Sequence, residues 1–494
     1  MERIKLFIQK YFSVLLVFAF AIFLRLYRLP EFATFLSDQG SDAIVVKRIV
    51  TFNHLPAIGA ASSVGQVYLG PFYYYLIAPF LPLFNFNPVG LALGVALLSI
   101  VGIFLTYIIV KKELSEKIAF IFLLLVSFSF VNIEVSRFSW NPNLLPFFSF
   151  LTLYFFYKVL RSNNLKSNKL IYPILFGAFF SFSFQLHYLS GLLFLTIFIF
   201  FLKELLTIKQ KFAVIFRFFI AFFSFIIFSS PLVIFDLRHN FLNLKNFIKL
   251  FTEQGVFSHA SLLVRFTDTI QSFFSNVMMS PISFLIAFFI FLYFILIYIL
   301  SQRKHASLLL DIHFVNIFTY LFGFTLLNSA HHPHYYHSIY LSFFLVMAYI
   351  LNELIMKSKS RVIVMLVTTF ITMYIALNLK SAYFLFQKPN NQIKHAQIVA
   401  NFLAEKIGNK PFNIATWPVE FFEDSYLYFL ELKGFIPVDR SKLEITNQMF
   451  VLCNKEPCQV IKSASWNISM FGKSKIDKIW TVEGIKIYKL VHEN

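Results

Sequence analysis

The chain has 494 residues, of which 58% are hydrophobic and 20% aromatic, and its mean hydropathy is +0.71. Such a composition excludes an ordinary soluble globular domain and is typical of a polytopic α-helical membrane protein. The formal net charge of +19 does not indicate nucleic-acid binding, because the basic residues lie mainly in short loops between apolar runs.

The first apolar run, residues 7–27, follows a basic N-terminus and predicts an uncleaved helix that enters the membrane from the cytosol. Residues 28–70 are then expected outside. Arg25 and Arg28, at the outer end of this helix, depart from the positive-inside pattern and suit binding of a lipid phosphate. Residues 71–87 contain three prolines and three adjacent tyrosines, which predicts a surface-lying or re-entrant segment rather than a span.

Further apolar segments bring the predicted number of spans to eleven. They cover residues 88–110, 118–133, 143–160, 170–202 as two helices that turn near 185–191, 212–235, 279–300, 311–328, 338–356 and 362–384. Every loop on the cytosolic side of this arrangement is basic, which agrees with the positive-inside rule. These loops include 111–117, 158–169, 301–304 and 357–361, and Lys203 begins the one that follows the paired helices of 170–202.

The composition becomes that of a water-soluble domain near residue 387. We therefore divide the chain into a membrane domain, 1–386, with a first outer loop at 28–87, and a small α/β domain on the outer face, 387–494. Apolar spacing predicts helices at 391–407 and 418–434 and strands at 448–453, 459–462, 478–482 and 485–491. Cys453 and Cys458 either pair in this domain or remain free thiols; both alternatives stay open.

The unusual polar clusters all fall on the outer side of this topology. A carboxylate that faces cations and histidines suits a reaction in which a base takes a hydroxyl proton while cations hold a departing phosphate. We expect Asp38, at the head of the first outer loop, to be the catalytic base, and Arg137 and Arg238 to hold the phosphate. The other candidate binding residues are Gln39, Asp42, Tyr74, Trp140, Asn141, His187, Asp236, His239, His334 and Tyr335.

Each of these residues also has a plainer interpretation. Asp38 could cap a helix, Arg137 could extend its guanidinium to the membrane interface, and His187 could be a hydrogen-bonded structural histidine. Asp236 and Arg238 could form an exposed ion pair of little energetic value. The histidines of 331–337 match no standard metal-ligand spacing, so the sequence indicates no metal or other cofactor.

The first outer loop with its early acid, the Gly-Pro-Phe-Tyr-Tyr-Tyr segment at 70–75 and the Ser-Arg-Phe-Ser-Trp-Asn-Pro segment at 136–142 resemble the GT-C glycosyltransferases. More narrowly, they are similar to the bacterial relatives of the dolichyl-phosphate-mannose protein mannosyltransferases and lipid A aminoarabinose transferases. In that group an Asp-Glu pair opens the first outer loop, and the Asp acts as the base. The Asp corresponds to Asp38, whereas Gln39 stands in place of the Glu, and Asp42 could substitute for it.

The resemblance implies transfer of a sugar from a polyprenyl phosphate to a hydroxyl of a glycan, lipid or protein acceptor, with inversion at the anomeric carbon. It implies a multi-pass protein of a prokaryotic plasma membrane. The expected partners include membrane lipid and do not include nucleic acid. Two alternatives remain open: a lipid-sugar flippase or transporter, and an envelope polysaccharide polymerase or ligase. A transporter would place ionisable residues near the membrane midplane, whereas here they lie in outer loops.

Overall fold

The computed structural model describes residues 2–62, 66–162, 170–252, 261–302, 307–327, 331–357, 360–418 and 420–493. The loops predicted at 158–169, 301–304 and 357–361 lie partly outside the described residues. The chain is an all-α polytopic membrane protein with a small C-terminal α/β domain, as predicted.

The membrane region is a bundle of helices that are long in some places and broken in others. In chain order they are α1 (Glu2–Leu26), α2 (Leu29–Phe32), α3 (Ser37–Val50), α4 (Phe72–Ile77), α5 (Phe80–Leu83), α6 (Val89–Glu113), α7 (Glu116–Phe128), α8 (Phe130–Val135), α9 (Leu145–Arg161), α10 (Ile171–Leu186), α11 (Leu193–Thr207), α12 (Lys211–Phe228), α13 (Ser230–Arg238), α14 (Leu242–Thr252), α15 (Leu262–Met278), α16 (Phe284–Gln302), α17 (Leu308–Leu326), α18 (His337–Lys357) and α19 (Arg361–Lys380).

Within the described residues, seven helices are long and apolar enough to cross a membrane. They are Val89–Glu113, Asn141–Arg161, Tyr188–Thr207, Lys211–Phe228, Leu308–Leu326, Pro333–Met356 and Arg361–Ser381. Shorter apolar helices cover Tyr11–Leu26, Phe72–Leu83, Ile171–Leu186 and Leu285–Leu300. Every predicted span contains a helix, and the number that cross the bilayer stays a prediction.

Three local features refine the predicted spans. The apolar stretch 170–202 is broken at a 3-10 turn, Tyr188–Leu192, where the sequence predicts the turn between two helices. Residues 71–87 form the short helices α4 and α5, which pack on α3 and α6. The predicted outer loop between spans seven and eight contains the end of α13 and all of α14 and α15.

Arg25 lies inside the bundle and not at its surface. Its side chain is fully buried, and its guanidinium donates to the backbone carbonyls of Ala21 and Ser127 at 3.1 and 3.3 Å. Arg28 donates to Glu31 at 2.8 Å and to the Phe384 carbonyl at 3.3 Å. The expectation that these two arginines bind a lipid phosphate is therefore wrong for Arg25, whose donors are used in fixing helices to one another.

The C-terminal domain combines α20 (Gln392–Ile407), α21 (Asp424–Leu432) and α22 (Trp466–Ser469) with a four-stranded sheet of order β1-β2-β4-β3. The strands are β1 (Asn413–Trp417), β2 (Met449–Cys453), β3 (Ser474–Val482) and β4 (Ile485–His492). β1 and β2 pair in parallel, and the other pairs are antiparallel.

The predicted helix at 391–407 and three of the predicted strands are present in this domain. The strand predicted at 459–462 is wrong, because this segment is an irregular connection, and β1 was not predicted. β1 is a short buried strand whose alternation is hidden because both of its faces are covered. Cys453 and Cys458 form a disulfide.

The C-terminal domain shares a hydrophobic core with the first loop of the membrane region. One buried cluster contains Ala43 and Val46 of α3, Tyr73 of α4, and Phe429 of α21. Helix α21 packs along α3, and Lys47 and Arg48 of α3 both form ion pairs with Glu431 at 3.3 Å. The division at residue 387 stays a prediction, but the two parts are joined by this common core.

Candidate active site

Side chains of one local and one distant residue accept the backbone N–H groups at the start of α3. The Leu36 N–H donates to the Gln39 side chain at 3.1 Å, and the Phe35 N–H donates to Gln392 of the C-terminal domain at 2.8 Å. Asp38 lies in the first turn, where the helix dipole favours a negative charge. Asp42 follows one turn later on the buried side of the helix, so the two carboxyls are neighbours.

Two cavities meet at the first turn of α3. Cavity A, of about 840 Å³, lies between this turn and the C-terminal domain, and cavity B, of about 530 Å³, lies between α3 and the helix ends of the membrane region. The residues that line both cavities are Ser37, Asp38, Trp140 and Phe422. A group bound in either cavity therefore lies next to the Asp38 carboxyl.

Cavity B gathers most of the residues that the sequence singled out. The predicted site residues in its lining are Asp38, Asp42, Tyr74, Trp140, Asn141, His187, His334 and Tyr335. They come from segments that are distant along the chain but end at the same side of the bundle. Gln39 lines cavity A instead.

The two acids of α3 differ in their surroundings. The pKa of Asp42 is raised to about 8, chiefly by burial. A hydrogen bond from Tyr74 lowers the pKa, and the nearby charge of Asp38 raises it. Burial also raises the pKa of Asp38, while a hydrogen bond from the Trp140 indole opposes this change. Asp38 remains exposed to the cavities although protein surrounds it on most sides. Asp42 is therefore protonated at neutral pH, and Asp38 is the carboxyl that a substrate can reach.

Aromatic and imidazole rings form a further part of the lining of cavity B. The rings of Trp140 and His334 are 4.7 Å apart, and His187 lies 5.7 Å from His334 and 5.6 Å from Tyr335. The Asn141 amide donates to the Leu186 carbonyl at 2.8 Å, which fixes this segment to the end of α10. Rings that meet edge to face or at a tilt present both apolar faces and polar edges, which suit the faces and hydroxyls of a sugar.

The C-terminal domain completes the site with residues that the sequence did not predict. Phe422 and Asp424 line cavity B, and the Ser37 hydroxyl donates to Asp424 at 3.1 Å. Burial raises the pKa of Asp424, and the negative charge of Glu423 adds to this shift. Asp424 therefore forms a third carboxyl beside those of α3.

Gly40 shows how closely the C-terminal domain approaches α3. A Cβ atom at this position would lie 2.4 Å from the backbone nitrogen of Ser425 and 2.5 Å from the carbonyl carbon of Asp424. Only glycine allows two backbones to approach so closely. A glycine inside a helix that follows Asp38-Gln39 is the one sequence signal that could have indicated this contact.

Arg137 is not among the residues that line either cavity. It is 2% exposed, and its guanidinium donates to the carbonyls of Leu24 and Tyr27, both at 2.8 Å, at the end of α1. The same group lies 3.7 Å above the Phe384 ring. The two terminal nitrogens therefore hold α1 against the neighbouring chain segments, and a role of Arg137 in phosphate binding stays a prediction.

The turn Asp236–His239 also lies outside the two cavity linings. The Asp236 carboxylate accepts hydrogen bonds from the N–H groups of Asn243 and Leu244, at 2.7 and 3.0 Å, and so caps α14. His239 stacks on Phe235 with ring centroids 4.2 Å apart, and Arg238 is exposed. The structure therefore does not bring Asp236, Arg238 or His239 to Asp38.

Asn243 connects this turn to cavity B indirectly, through Tyr68. Its side chain accepts from the Tyr68 N–H at 2.6 Å and donates to the Tyr68 carbonyl at 2.9 Å. Tyr68 forms a β-bridge with Ala61, which lines cavity B. The Asp236 turn thus supports the outer wall of the cavity.

In the part of the chain that the structure describes, no group of three or more His, Cys, Asp or Glu side chains is arranged to hold a metal ion. The lining of cavity B combines carboxyls with imidazoles, which are suited to hydrogen-bond a bound organic molecule.

Comparison with known proteins gives one family and several structures. Residues 69–234 match the model of the dolichyl-phosphate-mannose-protein mannosyltransferase family. No curated protein matches the chain in sequence.

Two solved structures share the fold at low sequence identity. ArnT from Cupriavidus metallidurans bound to undecaprenyl phosphate is 11% identical, with a TM-score of 0.63 over 97% of this chain and 98% of that one. The archaeal oligosaccharyltransferase AglB from Archaeoglobus fulgidus, in complex with an inhibitory peptide and a dolichol-phosphate, is 14% identical, with a TM-score of 0.54 over 86% of this chain and 64% of that one. The resemblance predicted from the sequence is confirmed: the chain has the membrane fold of the GT-C glycosyltransferases, and part of it matches the dolichyl-phosphate-mannose-protein mannosyltransferase family.

Proposed function

We propose that this protein is a membrane glycosyltransferase that moves a sugar from a polyprenyl-phosphate donor to a hydroxyl of an acceptor. The observation that carries the proposal is the position of Asp38, which a hydrogen bond from Trp140 orients where two cavities meet. The family match and the lipid phosphates named for ArnT and AglB support the donor class.

The linings of the cavities suit different parts of the reactants. Cavity A has many aromatic and apolar side chains, among them Phe35, Phe138 and Phe421, which suit the first prenyl units of the lipid next to its phosphate. Cavity B presents carboxyl, imidazole, hydroxyl and amide groups, which suit a sugar and the acceptor hydroxyl. The anomeric carbon then lies at the junction, next to Asp38.

In the proposed reaction the Asp38 carboxylate takes the proton of the acceptor hydroxyl. The acceptor oxygen forms a bond to the anomeric carbon as the bond from that carbon to the phosphate oxygen breaks. The electron pair of the broken bond stays on the polyprenyl phosphate, and Asp38 returns its proton to water. Attack opposite to the leaving phosphate inverts the anomeric centre.

Asp42 has a different role in this proposal. Since burial keeps its carboxyl protonated at neutral pH, it can donate a hydrogen bond to a sugar or acceptor oxygen but cannot act as a base. Tyr74, Asn141, His187 and His334 offer further polar contacts in the same cavity.

We also propose that the protein lies in a prokaryotic plasma membrane with a cytoplasmic N-terminus and the C-terminal domain outside. The basic loops of the sequence support this orientation. Lys442 is well exposed on the C-terminal domain. An impermeant thiol reagent that fails to reach a Lys442→Cys variant in intact cells would overturn the orientation.

The test of function uses the purified full chain in lipid nanodiscs with polyprenyl-phosphate sugars as donors and membrane extract as the source of acceptors. We expect sugar to leave the lipid and polyprenyl phosphate to accumulate in equal amount. Movement of the intact lipid-linked sugar across proteoliposomes, without cleavage, would instead support the flippase alternative. Absence of both reactions with every polyprenyl-phosphate donor would overturn the proposal.

A further inference from the structure

A departing lipid phosphate gains negative charge, so its site needs a positive group nearby. Most of the arginines and lysines near Asp38 already have partners. Arg25, Arg28 and Arg137 donate to backbone carbonyls. Lys47 and Arg48 form ion pairs with Glu431. These side chains hold helices and domains together, and a ligand could recruit them only by breaking those contacts.

One lysine side chain lines the cavities themselves. Among the described residues that line cavities A and B, Lys455 is the only lysine or arginine, and it lines cavity A. It is exposed, and the structure gives it no ion pair with a described residue. His395 also lines cavity A, but its imidazole lies 3.4 Å from the Glu483 carboxylate. Two acids, Asp38 and Glu420, line cavity A as well, and Lys455 is the positive charge that opposes them.

The backbone that carries Lys455 is fixed on both sides. The Cys453–Cys458 disulfide closes the loop at the end of β2, with the two Cα atoms 6.3 Å apart. Trp417 of β1 donates from its indole to the Pro457 carbonyl at 3.3 Å, and Lys486 of β4 forms an ion pair with Glu456. The Asn454 N–H donates to the Trp417 carbonyl at 3.2 Å. A loop held by a covalent bond and two neighbouring strands presents its lysine at a defined place.

We infer that Lys455 binds the phosphate of the polyprenyl lipid, so that the C-terminal domain supplies the charge that stabilises the leaving group. This inference rests on the proposed function. Lys455 lines cavity A together with the α3 turn, so in this proposal the prenyl-phosphate end lies in cavity A and the sugar lies toward Asp38. As the bond to the anomeric carbon breaks, the ammonium faces the added charge on the phosphate oxygen.

The same residue also offers an explanation for a feature of the sequence. The sequence places a disulfide-capable pair around Lys455 in a domain without any recognised motif. A phosphate contact from this loop would require the C-terminal domain to stay docked on α3, which the close approach at Gly40 favours. Donor binding and domain docking would then depend on each other.

The test measures binding of undecaprenyl phosphate and of neutral undecaprenol to the full chain in nanodiscs. We compare wild type with Lys455→Ala, Lys455→Arg and Lys442→Ala. Lys442 is an exposed lysine of the same domain, paired with Asp439 at 3.7 Å and outside both linings, and so serves as the matched control. We expect Lys455→Ala to weaken binding of undecaprenyl phosphate about 10- to 100-fold, as for loss of a charged hydrogen bond. Undecaprenol binding should not change.

The remaining arms separate this inference from the proposed function. Lys455→Arg should keep affinity for the phosphate within a few fold of wild type, because the charge is retained, and Lys442→Ala should match wild type. If wild type transfers sugar and Lys455→Ala binds undecaprenyl phosphate equally well, the inference fails and the function stands. If Lys455 governs phosphate binding but no donor is cleaved, the phosphate site stands and the function fails. A Lys455→Ala effect confined to the acceptor KM would assign the lysine to an acceptor phosphate and overturn the inference.

Discussion

Two acid-bearing turns of this protein look alike in sequence and differ in structure. Both acids lie near an end of a helix that follows an apolar run: Asp38 in the first turn of α3, and Asp236 in the last turn of α13, just before α14. Each oxygen of Asp236 accepts a backbone N–H, at 2.7 and 3.0 Å. Asp38 has a single indole partner and faces two cavities. An acid whose oxygens are used by its own backbone stabilises a turn, whereas one left open to a cavity can meet a substrate.

The arginines show the same difference. Arg137 lies within the range that matches the family, yet both of its terminal nitrogens donate to carbonyls of α1 and the following turn. The neighbouring Trp140 instead contacts Asp38 and lines both cavities. A motif can therefore contain structural and ligand-facing residues side by side, and only the contacts separate them.

The largest fall in sugar transfer is expected when the catalytic base is removed. Asp38→Asn keeps the size of the side chain and its ability to accept from Trp140, but an amide cannot take a proton. We expect transfer to fall about 100- to 10,000-fold, the usual range for general-base assistance. Donor binding should be retained. Sugar transfer and donor affinity are measured separately at matched protein amount. If Asp38→Asn keeps more than about a tenth of wild-type transfer, Asp38 is not the base.

The next effect concerns docking of the C-terminal domain. In Gly40→Ala the added methyl would lie 2.4 Å from the Ser425 nitrogen, so α21 must move away from α3. Overpacking of this kind costs about 1–3 kcal/mol, and displacement of Asp424 and Phe422 should lower transfer at least about tenfold. Transfer and protease cleavage of the C-terminal domain are measured together.

Gly191→Ala is the matched control for this change. It lies near cavity B, but its Cβ would meet nothing closer than the Phe184 ring at 3.5 Å, an ordinary contact. We expect wild-type transfer and wild-type resistance to protease. Equal behaviour of Gly40→Ala and Gly191→Ala would show that the domain contact does not shape the site.

The sequence predicted local features better than contacts between distant segments. The apolar runs, the helix at 391–407 and the open acid Asp38 follow from periodicity and position along the chain. The bond from Ser37 to Asp424 joins residues 387 positions apart, and no local pattern encodes it. The partners of Arg137 were equally hidden, because a guanidinium that snorkels and one that binds backbone carbonyls have the same flanking sequence.

Burial of Asp42 predicts a pH effect on stability. Its pKa rises to about 8 in the folded protein, from 3.8 for an ordinary aspartate. Below about pH 4 the Asp42 carboxyl is protonated in both the folded and the unfolded protein. Between these values only the unfolded chain releases this proton, so stability falls as pH rises, by up to about 1.4 kcal/mol per pH unit. Above the folded pKa this loss is complete.

Asp42→Asn has no proton to release and should lose this dependence. Its unfolding midpoint, measured in detergent from pH 5 to pH 8, should exceed that of wild type by an amount that grows with pH. We expect a smaller loss of transfer than for Asp38→Asn, because an amide still donates a hydrogen bond in cavity B. Parallel pH profiles for the two proteins would contradict the assignment of a protonated Asp42.

The smallest effect should come from the second acidic turn. Asp236→Ala removes the acceptors for two N–H groups at the start of α14 and should cost about 1 kcal/mol, as for loss of a helix cap. Since Asn243 then loses its support, the Tyr68 segment should loosen, raising the acceptor KM a few fold with little change in kcat. Asp236→Asn retains one of the two acceptors and should lose less stability than Asp236→Ala, with transfer near wild type. Comparison of Asp38→Asn with Asp236→Asn therefore tests at which position the reaction needs a carboxylate that takes a proton. A loss in Asp236→Asn as large as that in Asp38→Asn would place chemistry at the turn that the contacts assign to capping.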